Sequence, residues 1–268
     1  MTLLAPLAKE LMAAYADRRL IAPPSARDAT FDLNAAYAVE AEIAQARRAD
    51  GHRTVGWKVG SSNPDRWAEL ELDTVTWAHL YDDTVRYADW NDATLSIASM
   101  LAPKIEPEIV FRLAQPPASG DAVAVLEATE WIALGFEIID SVYPDWKARP
   151  ADFVASRGVH AALVVGEPLY IEPDTIVKLA GELADFSVRV LKNNEMVAEG
   201  VGATVLKSPA LCVGELAAAM ARRGGETLQA GDVICTGSLT TAMPIAPSET
   251  WIASLSGIPP SALTLRIK

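Results

Sequence analysis

The chain has 268 residues, of which 50% are hydrophobic and 22% charged, an ordinary composition for a globular protein with a full core. Its net charge of −12, from 35 acidic and 23 basic residues, argues against nucleic acid and anionic membrane surfaces as partners. We find no secretory signal pattern and no apolar run that approaches the roughly 20 residues of a membrane span. Cys212 and Cys235 have neither disulfide-framework nor metal-type spacing, so we expect reduced core cysteines in a cytoplasmic protein.

The N-terminal part of the chain predicts two helices. Residues 3–20 carry leucines and a tyrosine at helical spacing, and prolines at positions 23–24 end the pattern. A second helix is predicted from about Leu33 to Arg48, with Gly51 just beyond it as a C-terminal cap. Two alanine-rich helices before any strand indicate a packing element or a subunit contact.

A lysine then occupies the middle of a short apolar strand, residues 54–60. Lys58 has two interpretations, an edge lysine that blocks strand pairing or a cation aimed into a site that binds a carboxylate or transfers a proton. Residues 63–73 predict a short helix, and residues 77–83 an irregular segment. The three histidines have no metal-ligand spacing, so we expect no zinc site and a structural role for His79.

Paired acids inside an apolar run give the strongest chemical signal. Glu106 and Glu108 are two residues apart, so in a strand they project from the same face. The pattern fits an exposed strand with a wet acidic face, or a divalent cation held by paired carboxylates. Glu137, isolated in a second apolar strand, would favour the cation. Asp140 follows Glu137 at a spacing that points it to the opposite face, so we do not predict it as a ligand.

The rest of the chain alternates helices and strands. We expect a helix over 122–133, a lid-like loop over 142–150, a buried strand over 161–166, a hairpin around Asn193-Asn194, a helix over 209–223 and strands over 249–256 and 261–267. Residues 229–241 predict a strand that enters a hydroxyl-rich glycine turn, either an ordinary polar turn or a donor set for an anion. The chain has no dinucleotide-binding or phosphate-binding glycine motif and no nucleophile elbow of the common type.

Four segments together resemble the family of 2-hydroxypenta-2,4-dienoate hydratases and 4-oxalocrotonate decarboxylases, within the fumarylacetoacetate hydrolase superfamily. The similarity covers about residues 30–268 in the family's order and spacing, and the helical N-terminus is typical of the hydratase branch. The segments are Gly56–Gly60, Pro103–Glu108, Glu137–Ser141 and Ala230–Gly237.

The resemblance implies an α+β fold, a mixed β-roll over residues 53–268 preceded by a helical segment over residues 1–52. It implies a Mg²⁺ or Mn²⁺ site, with Lys58 and, by a looser match, Asp83 as catalytic residues. The implied metal ligands are Glu106, Glu108 and Glu137, and the implied segment over the substrate's carboxylate end contains Thr236, Gly237, Ser238 and Thr240.

One departure concerns residues 155–158, where many members of the family carry an acid. Ser156 stands in the place of that acid, and Arg157 adds a cation that could pair with a second substrate carboxylate. The substrate class implied is a 2-hydroxy-2,4-dienoate, hydrated to a 4-hydroxy-2-oxo acid in the catabolism of aromatic or related compounds. The alternatives are a decarboxylase of the 4-oxalocrotonate type, an acylpyruvate hydrolase, and a non-catalytic paralogue in a hydratase–decarboxylase complex. By resemblance we also expect a homo-oligomer, with a decarboxylase or an aldolase as an expected complex partner.

Overall fold

The computed structural model describes residues 4–259 and 262–268, and mixes helices with two sheets as predicted. The helices of the described residues are α1 Leu4–Ala16, α2 Pro24–Arg27, α3 Leu33–Ala49, α4 Trp67–Leu70, α5 Ala122–Glu127, α6 Pro150–Ala155, α7 Ile176–Asp185 and α8 Pro209–Arg223. The strands are β1 Thr54–Gly60, β2 Thr76–Tyr81, β3 Val85–Tyr87, β4 Asp92–Leu95, β5 Lys104–Leu113, β6 Thr129–Ile139, β7 His160–Val165, β8 Leu169–Tyr170, β9 Ser187–Lys192, β10 Glu195–Val201, β11 Val233–Cys235, β12 Met243–Pro244, β13 Thr250–Ser256 and β14 Ala262–Ile267.

The larger sheet has the strand order β2-β1-β11-β5-β6-β7-β3 over the described residues, with β12 on β5 and β8 on β6. Most of its pairs are antiparallel, while β1 pairs with β11 and β3 with β7 in parallel. The sheet is therefore mixed, as expected of the β-roll. Its two longest strands, β5 and β6, form the central pair that carries the acidic residues.

The two faces of β5 differ because side chains alternate along a strand. Ile105, Ile109 and Phe111 point to the main hydrophobic core, which the helices α5, α7 and α8 cover. Glu106 and Glu108 point to the other face, where Val110 joins a smaller apolar cluster with Cys235 and neighbouring strands. The acids thus lie on a face that is not filled by the main core.

The smaller sheet has the order β10-β9-β13-β14-β4. The predicted hairpin is confirmed, since β9 and β10 pair across Asn193 and Asn194, both of which have positive φ angles as this turn requires. The two C-terminal strands are also confirmed as an antiparallel pair, although residue 261 lies outside the described residues.

The helical segment packs on the rest of the chain around a hydrophobic cluster that is separate from the main core. That cluster joins α1 and α3 to α6 and to Val142 and Tyr143. The first predicted helix ends at Ala16, and not near residue 20; Pro24 begins the short α2, because proline suits the first turn of a helix. Residue 3 lies outside the described residues. The division of the chain at residue 52 stays a prediction.

Two element predictions were wrong. Residues 76–81, which fall largely in the segment expected to be irregular, form β2, where all six residues are buried and show no alternation of apolar and polar side chains. The helix expected over 122–133 ends at Glu127, and β6 begins at Thr129. A run of small apolar residues does not distinguish a buried strand from a helix.

The stretch Gly202–Arg223, which is α8 with the turn before it, has the length and composition of a membrane span, at a mean hydropathy of 1.2. Inside the fold, 56% of its most apolar window is buried, and α8 covers the main core. This stretch is not a continuous apolar run, because Lys207 and Glu215 interrupt it, and it was therefore not predicted as a membrane span from the sequence.

Candidate metal centre and active site

Strand pairing brings the three predicted acids together. Glu106 lies directly opposite Glu137 in the register of β5 and β6, and Glu108 lies opposite Gly135. Directly opposed residues have Cβ atoms about 4.5–5.5 Å apart, on the same face of the sheet. The fold therefore places three carboxylates on one patch of the sheet. Glu108 and Glu137 are fully buried, and Glu106 is half-buried.

Each fully buried carboxylate has one oxygen held by an N–H donor and one oxygen without a hydrogen bond. The amide of Gly237 donates to Oε2 of Glu108 at 2.7 Å, and Nδ1 of His160 contacts Oε1 of Glu137 at 2.8 Å. Oε1 of Glu108 and Oε2 of Glu137 accept no hydrogen bond. Ligand atoms of these two residues and of Cys235 lie within 4.8 Å of one another. A buried carboxylate oxygen without a donor, close to a second carboxylate and a thiol, fits a divalent metal ion.

Lys58 supplies the cation nearest to these carboxylates. Its Nζ lies 3.2 Å from Oε2 of Glu137 and donates to the carbonyl of Gly158 at 2.9 Å. Burial alone would lower the pKa of Lys58, but Glu137 and Glu106 outweigh burial and raise that pKa above its ordinary value, so Lys58 is an ammonium. Gly158 has a φ of 59°, and a Cβ atom there would lie 2.6 Å from Cδ of Lys58. Glycine at this position therefore makes room for the lysine.

The carboxylates repel one another despite this cation. Burial, followed by the charges of Glu137 and Glu106, raises the pKa of Glu108 well above its ordinary value. Burial and Glu137 raise the pKa of Glu106 to about 7. Glu137 has a lowered pKa: burial opposes the shift, but Lys58 and His160 stabilise the charged form. One ammonium does not compensate three carboxylates, and a dication fits the remaining charge.

His160 was missed by the sequence analysis, and a β-bulge explains why. Leu163 and Ala162 pair with Glu137 and Ile138, but Ile139 then pairs with His160, so that Ala161 is an extra residue in β7. Without the bulge, strict alternation would point His160 away from the carboxylates. No signal in the sequence predicts a bulge at this position.

Lys58, Glu106 and Gly158 line a cavity of about 1330 Å³, and Glu108, Glu137 and His160 are buried next to them without lining it. The predicted turn borders it: Gly237, Ser238 and Thr240 line the wall, whereas Thr236 is buried behind the wall and donates to the carbonyl of Ile109 at 2.9 Å. The predicted loop over residues 142–150 also lines the cavity, through Trp146, Ala148 and Pro150.

Asp83 and Arg157 do not line this cavity. Asp83 forms an ion pair with Arg47 at 2.6 Å, and its side chain is 41% exposed. The guanidinium of Arg157 stacks on the ring of Tyr15 at 4.8 Å. Ser156 is buried, and its hydroxyl donates to the carbonyl of Asp152 at 3.0 Å. None of these three residues lines the cavity, although sequence matching had put them near the site.

His79 has the structural role expected of it. Its Nδ1 lies 2.7 Å from Oε1 of Glu40 on α3, and its Nε2 lies 2.6 Å from Oε2 of Glu226. Burial alone would lower the pKa of His79, but the two carboxylates raise that pKa above its ordinary value. The histidine thereby ties the helical segment to the larger sheet.

The chain matches a known protein family over most of its length. Residues 81–265 match the family model described as fumarylacetoacetate (FAA) hydrolase, C-terminal. The chain belongs to the fumarylacetoacetate hydrolase family, whose fold the two sheets reproduce.

Two relatives and one solved structure show which members of that family the chain is similar to. The chain is 30% identical to a 4-oxalocrotonate decarboxylase of a Pseudomonas species, over 83% of this chain and 81% of the relative. It is also 30% identical to a 2-keto-4-pentenoate hydratase of Burkholderia vietnamiensis, over 95% of this chain and 94% of the relative. The solved structure of 4-oxalocrotonate decarboxylase from Pseudomonas putida, complexed with magnesium and adipate, matches with a TM-score of 0.88 at 26% identity, over 99% of this chain and 97% of that chain.

Proposed function

We propose that the protein is a metal-dependent hydratase that adds water to a 2-hydroxy-2,4-dienoate and gives a 4-hydroxy-2-oxo acid. The observation that carries this proposal is the cluster of three carboxylates and one ammonium beside the cavity, in which Oε1 of Glu108 accepts no hydrogen bond from the described residues. The cluster fits a divalent metal ion, and Glu106, Glu108 and Glu137 would hold it. We propose Mg²⁺ or Mn²⁺, because hard cations prefer oxygen ligands.

The reaction balances in two steps. The dienol first ketonises, since the proton of its C2 hydroxyl is lost and C5 gains one, which leaves a 2-oxo group conjugated to a C3–C4 double bond. Water then adds, with its oxygen bonding to C4 and one proton going to C3. When bound, the metal ion supplies Lewis-acid polarisation of the C2 oxygen.

Lys58 orients the substrate in this proposal. One N–H of its ammonium donates to Gly158, and its remaining N–H bonds face Glu137 and the cavity. A cation in this position binds the C1 carboxylate and stabilises negative charge that develops on the C2 oxygen. Thr240 lines the same region, and its hydroxyl is the proposed donor to that carboxylate, since the amide of Gly237 already donates to Glu108.

The test is the loss of ultraviolet absorbance of a freshly generated 2-hydroxypenta-2,4-dienoate, with and without added Mg²⁺ or Mn²⁺. We expect metal-dependent loss without release of CO₂. Lys58→Met lowers kcat by more than about 100-fold, which corresponds to about 2.7 kcal/mol of transition-state stabilisation. Lys147→Met is the matched control, because Lys147 is 82% exposed and, among the described residues, forms an ion pair with Asp145 alone. Equal turnover with and without metal would contradict the proposal.

A second candidate, decarboxylation of a 2-oxo-dicarboxylate, is favoured by one specific observation. Lys104 precedes Glu106 by two residues on the same face of β5 and lines the cavity. Among the described residues it pairs with no carboxylate, and its Nζ lies 4.2 Å from the ring centre of Trp146. A step of two residues along a strand is about 6.6 Å, which is close to the length of a six-carbon chain. A distal carboxylate could therefore meet this ammonium.

Two inert analogues separate the candidates, since 2-oxoadipate and 2-oxohexanoate differ only in the distal carboxylate. A preference of about 10-fold or more for 2-oxoadipate that Lys104→Met abolishes, together with CO₂ release from 2-oxohex-3-enedioate, supports decarboxylation. Equal affinity for both analogues supports the hydratase. Arg157→Ala tests the other candidate cation. If Arg157 binds the distal carboxylate, this substitution should reduce the preference for 2-oxoadipate over 2-oxohexanoate.

The proposal also covers the cellular compartment, the metabolic role and the assembly of the enzyme. We place it in the cytoplasm, in the catabolism of aromatic or related compounds, as a homo-oligomer that can associate with a decarboxylase or an aldolase of the same route. The reduced, buried state of both cysteines supports the compartment.

A further inference from the structure

We propose that His160 is a positioning residue of the metal centre, which fixes Glu137 as a one-oxygen ligand and thereby favours Mg²⁺ over Ca²⁺. The inference rests on the metal site of the proposed function, and it concerns two residues of this chain, His160 and its partner Thr84.

The contacts of His160 leave its ring no freedom. Its Nδ1 lies 2.8 Å from Oε1 of Glu137, and its Nε2 lies 2.9 Å from Oγ1 of Thr84. The ring is buried, with a relative exposure of 2%. Thr84 is fixed in turn, because its main-chain oxygen accepts from the amide of Leu163 at 2.9 Å and its hydroxyl contacts the carbonyl of Tyr81 at 3.0 Å. The hydrogen bond to Glu137 is therefore held from both sides of the ring.

The hydrogen-bond partners of His160 determine which ring nitrogen carries the proton. Glu137 is a carboxylate with no proton to donate, so Nδ1 of His160 must be the donor. In the neutral ring Nε2 is then an acceptor, and it shares the single proton of the Thr84 hydroxyl with the carbonyl of Tyr81, which lies 3.0 Å from the same oxygen. A histidine oriented by a hydroxyl in this way presents one N–H in one direction, and that direction is Oε1 of Glu137.

The hydrogen bond to Oε1 determines which oxygen of Glu137 can coordinate a metal ion. Oε2 accepts no hydrogen bond from the described residues and faces the ammonium of Lys58 at 3.2 Å, so it is the oxygen left for coordination, beside that ammonium. Glu108 repeats the arrangement, since the amide of Gly237 holds its Oε2 and leaves its Oε1. Two carboxylates that offer one oxygen each suit the compact six-coordinate shell of Mg²⁺. Ca²⁺ accepts more ligands at longer distances and commonly takes both oxygens of a carboxylate.

The experiment measures metal binding directly, without turnover. The full-length protein is stripped of metal with a chelator, and Mg²⁺ and Ca²⁺ are titrated separately by calorimetry. We expect His160→Leu to weaken Mg²⁺ binding by about 10- to 100-fold and Ca²⁺ binding by less, so that the ratio of the two affinities falls. His160→Asn, whose amide can donate to Glu137 in place of Nδ1, restores most of the ratio. Thr84→Val, which removes the outer partner alone, gives a smaller fall, of about 3- to 10-fold.

Controls separate positioning from stability and from the proposed function. Lys147→Met, at a side chain that is 82% exposed, is the control, and it should leave both affinities unchanged. A lower melting temperature for His160→Leu with an unchanged affinity ratio would overturn the inference, as would tighter Mg²⁺ binding. Should His160→Leu fail to fold, the asparagine and valine variants carry the test. A wild-type protein that binds no Mg²⁺ would overturn the proposed metal site as well, whereas binding with an unchanged ratio overturns this inference alone.

Discussion

Removal of Lys58 should destabilise the metal-free protein to a calculable extent. In Lys58→Met the apolar stem is kept and the charge is lost, so Glu137 loses its cation at 3.2 Å. The side chains of this pair are 6% and 0% exposed. Removing one partner of a buried ion pair costs about 3–5 kcal/mol, because the other charge stays buried without compensation.

This cost converts to a shift in the melting temperature. An unfolding entropy of about 2.1 cal/mol/K per residue gives about 0.56 kcal/mol/K for the 268 residues of the chain. The expected fall is therefore about 5–9 °C. The fall should be larger near pH 8 than near pH 5.5, because Glu137 without Lys58 takes up a proton more readily and protonation relieves the repulsion at the lower pH.

The assay is thermal unfolding followed by circular dichroism in the presence of a chelator, and again with added Mg²⁺. Added Mg²⁺ should narrow the gap between wild type and Lys58→Met, because a bound dication compensates the same carboxylates. Lys147→Met, at an exposed lysine, should shift the midpoint by less than about 1 °C. A gap below about 2 °C near pH 8 without metal would refute the view that Lys58 compensates the buried cluster.

Three further predictions follow from the same geometry. Glu106→Gln should lower metal-dependent turnover by more than about 100-fold while the fold is kept, and full turnover would remove Glu106 from the ligand set. Gly158→Ala should lower kcat/KM by about 10-fold or more, because its Cβ would displace Lys58; Gly51→Ala, at a positive φ with open space, should affect stability alone. The pKa of His79 is raised in the fold, so its contribution to stability is complete below its unfolded pKa of about 6.5 and is lost as the pH rises through the folded value. Melting temperatures between about pH 6 and pH 9 should decline more for wild type than for His79→Gln, and parallel curves would contradict this.

The acid cluster was predictable from the sequence because it depends on alternation alone. Glu106 and Glu108 needed only a strand to share a face, and Glu137 needed only a neighbouring strand. The hairpin at Asn193-Asn194 was predictable for a similar reason, since two residues that tolerate positive φ separate two alternating runs. Both features were predictable because they depend on residues that lie close together in the sequence.

What escaped prediction depends on contacts between distant parts of the chain. The strand β2 is buried on both faces, so its sequence has no alternation to recognise. His160 reaches Glu137 only through a bulge, which changes the face of one residue without any change in composition. Asp83 was matched to the family only loosely, and its ion pair with Arg47 on α3 could not be predicted from the sequence. Register, bulges and ion-pair partners are tertiary properties.

The strand order of the larger sheet has a consequence for synthesis on the ribosome. In the part of the chain that the structure describes, β1 joins the acid-bearing strands only through β11, which is among the last strands to be made. The β5–β6 pair can form early, so a nascent chain can bring its carboxylates together long before Lys58 can be fixed beside them. Until β11 emerges, water and cellular cations must screen that charge. Pairing over so long a separation is slow, and we expect free Mg²⁺ to assist maturation of the new chain.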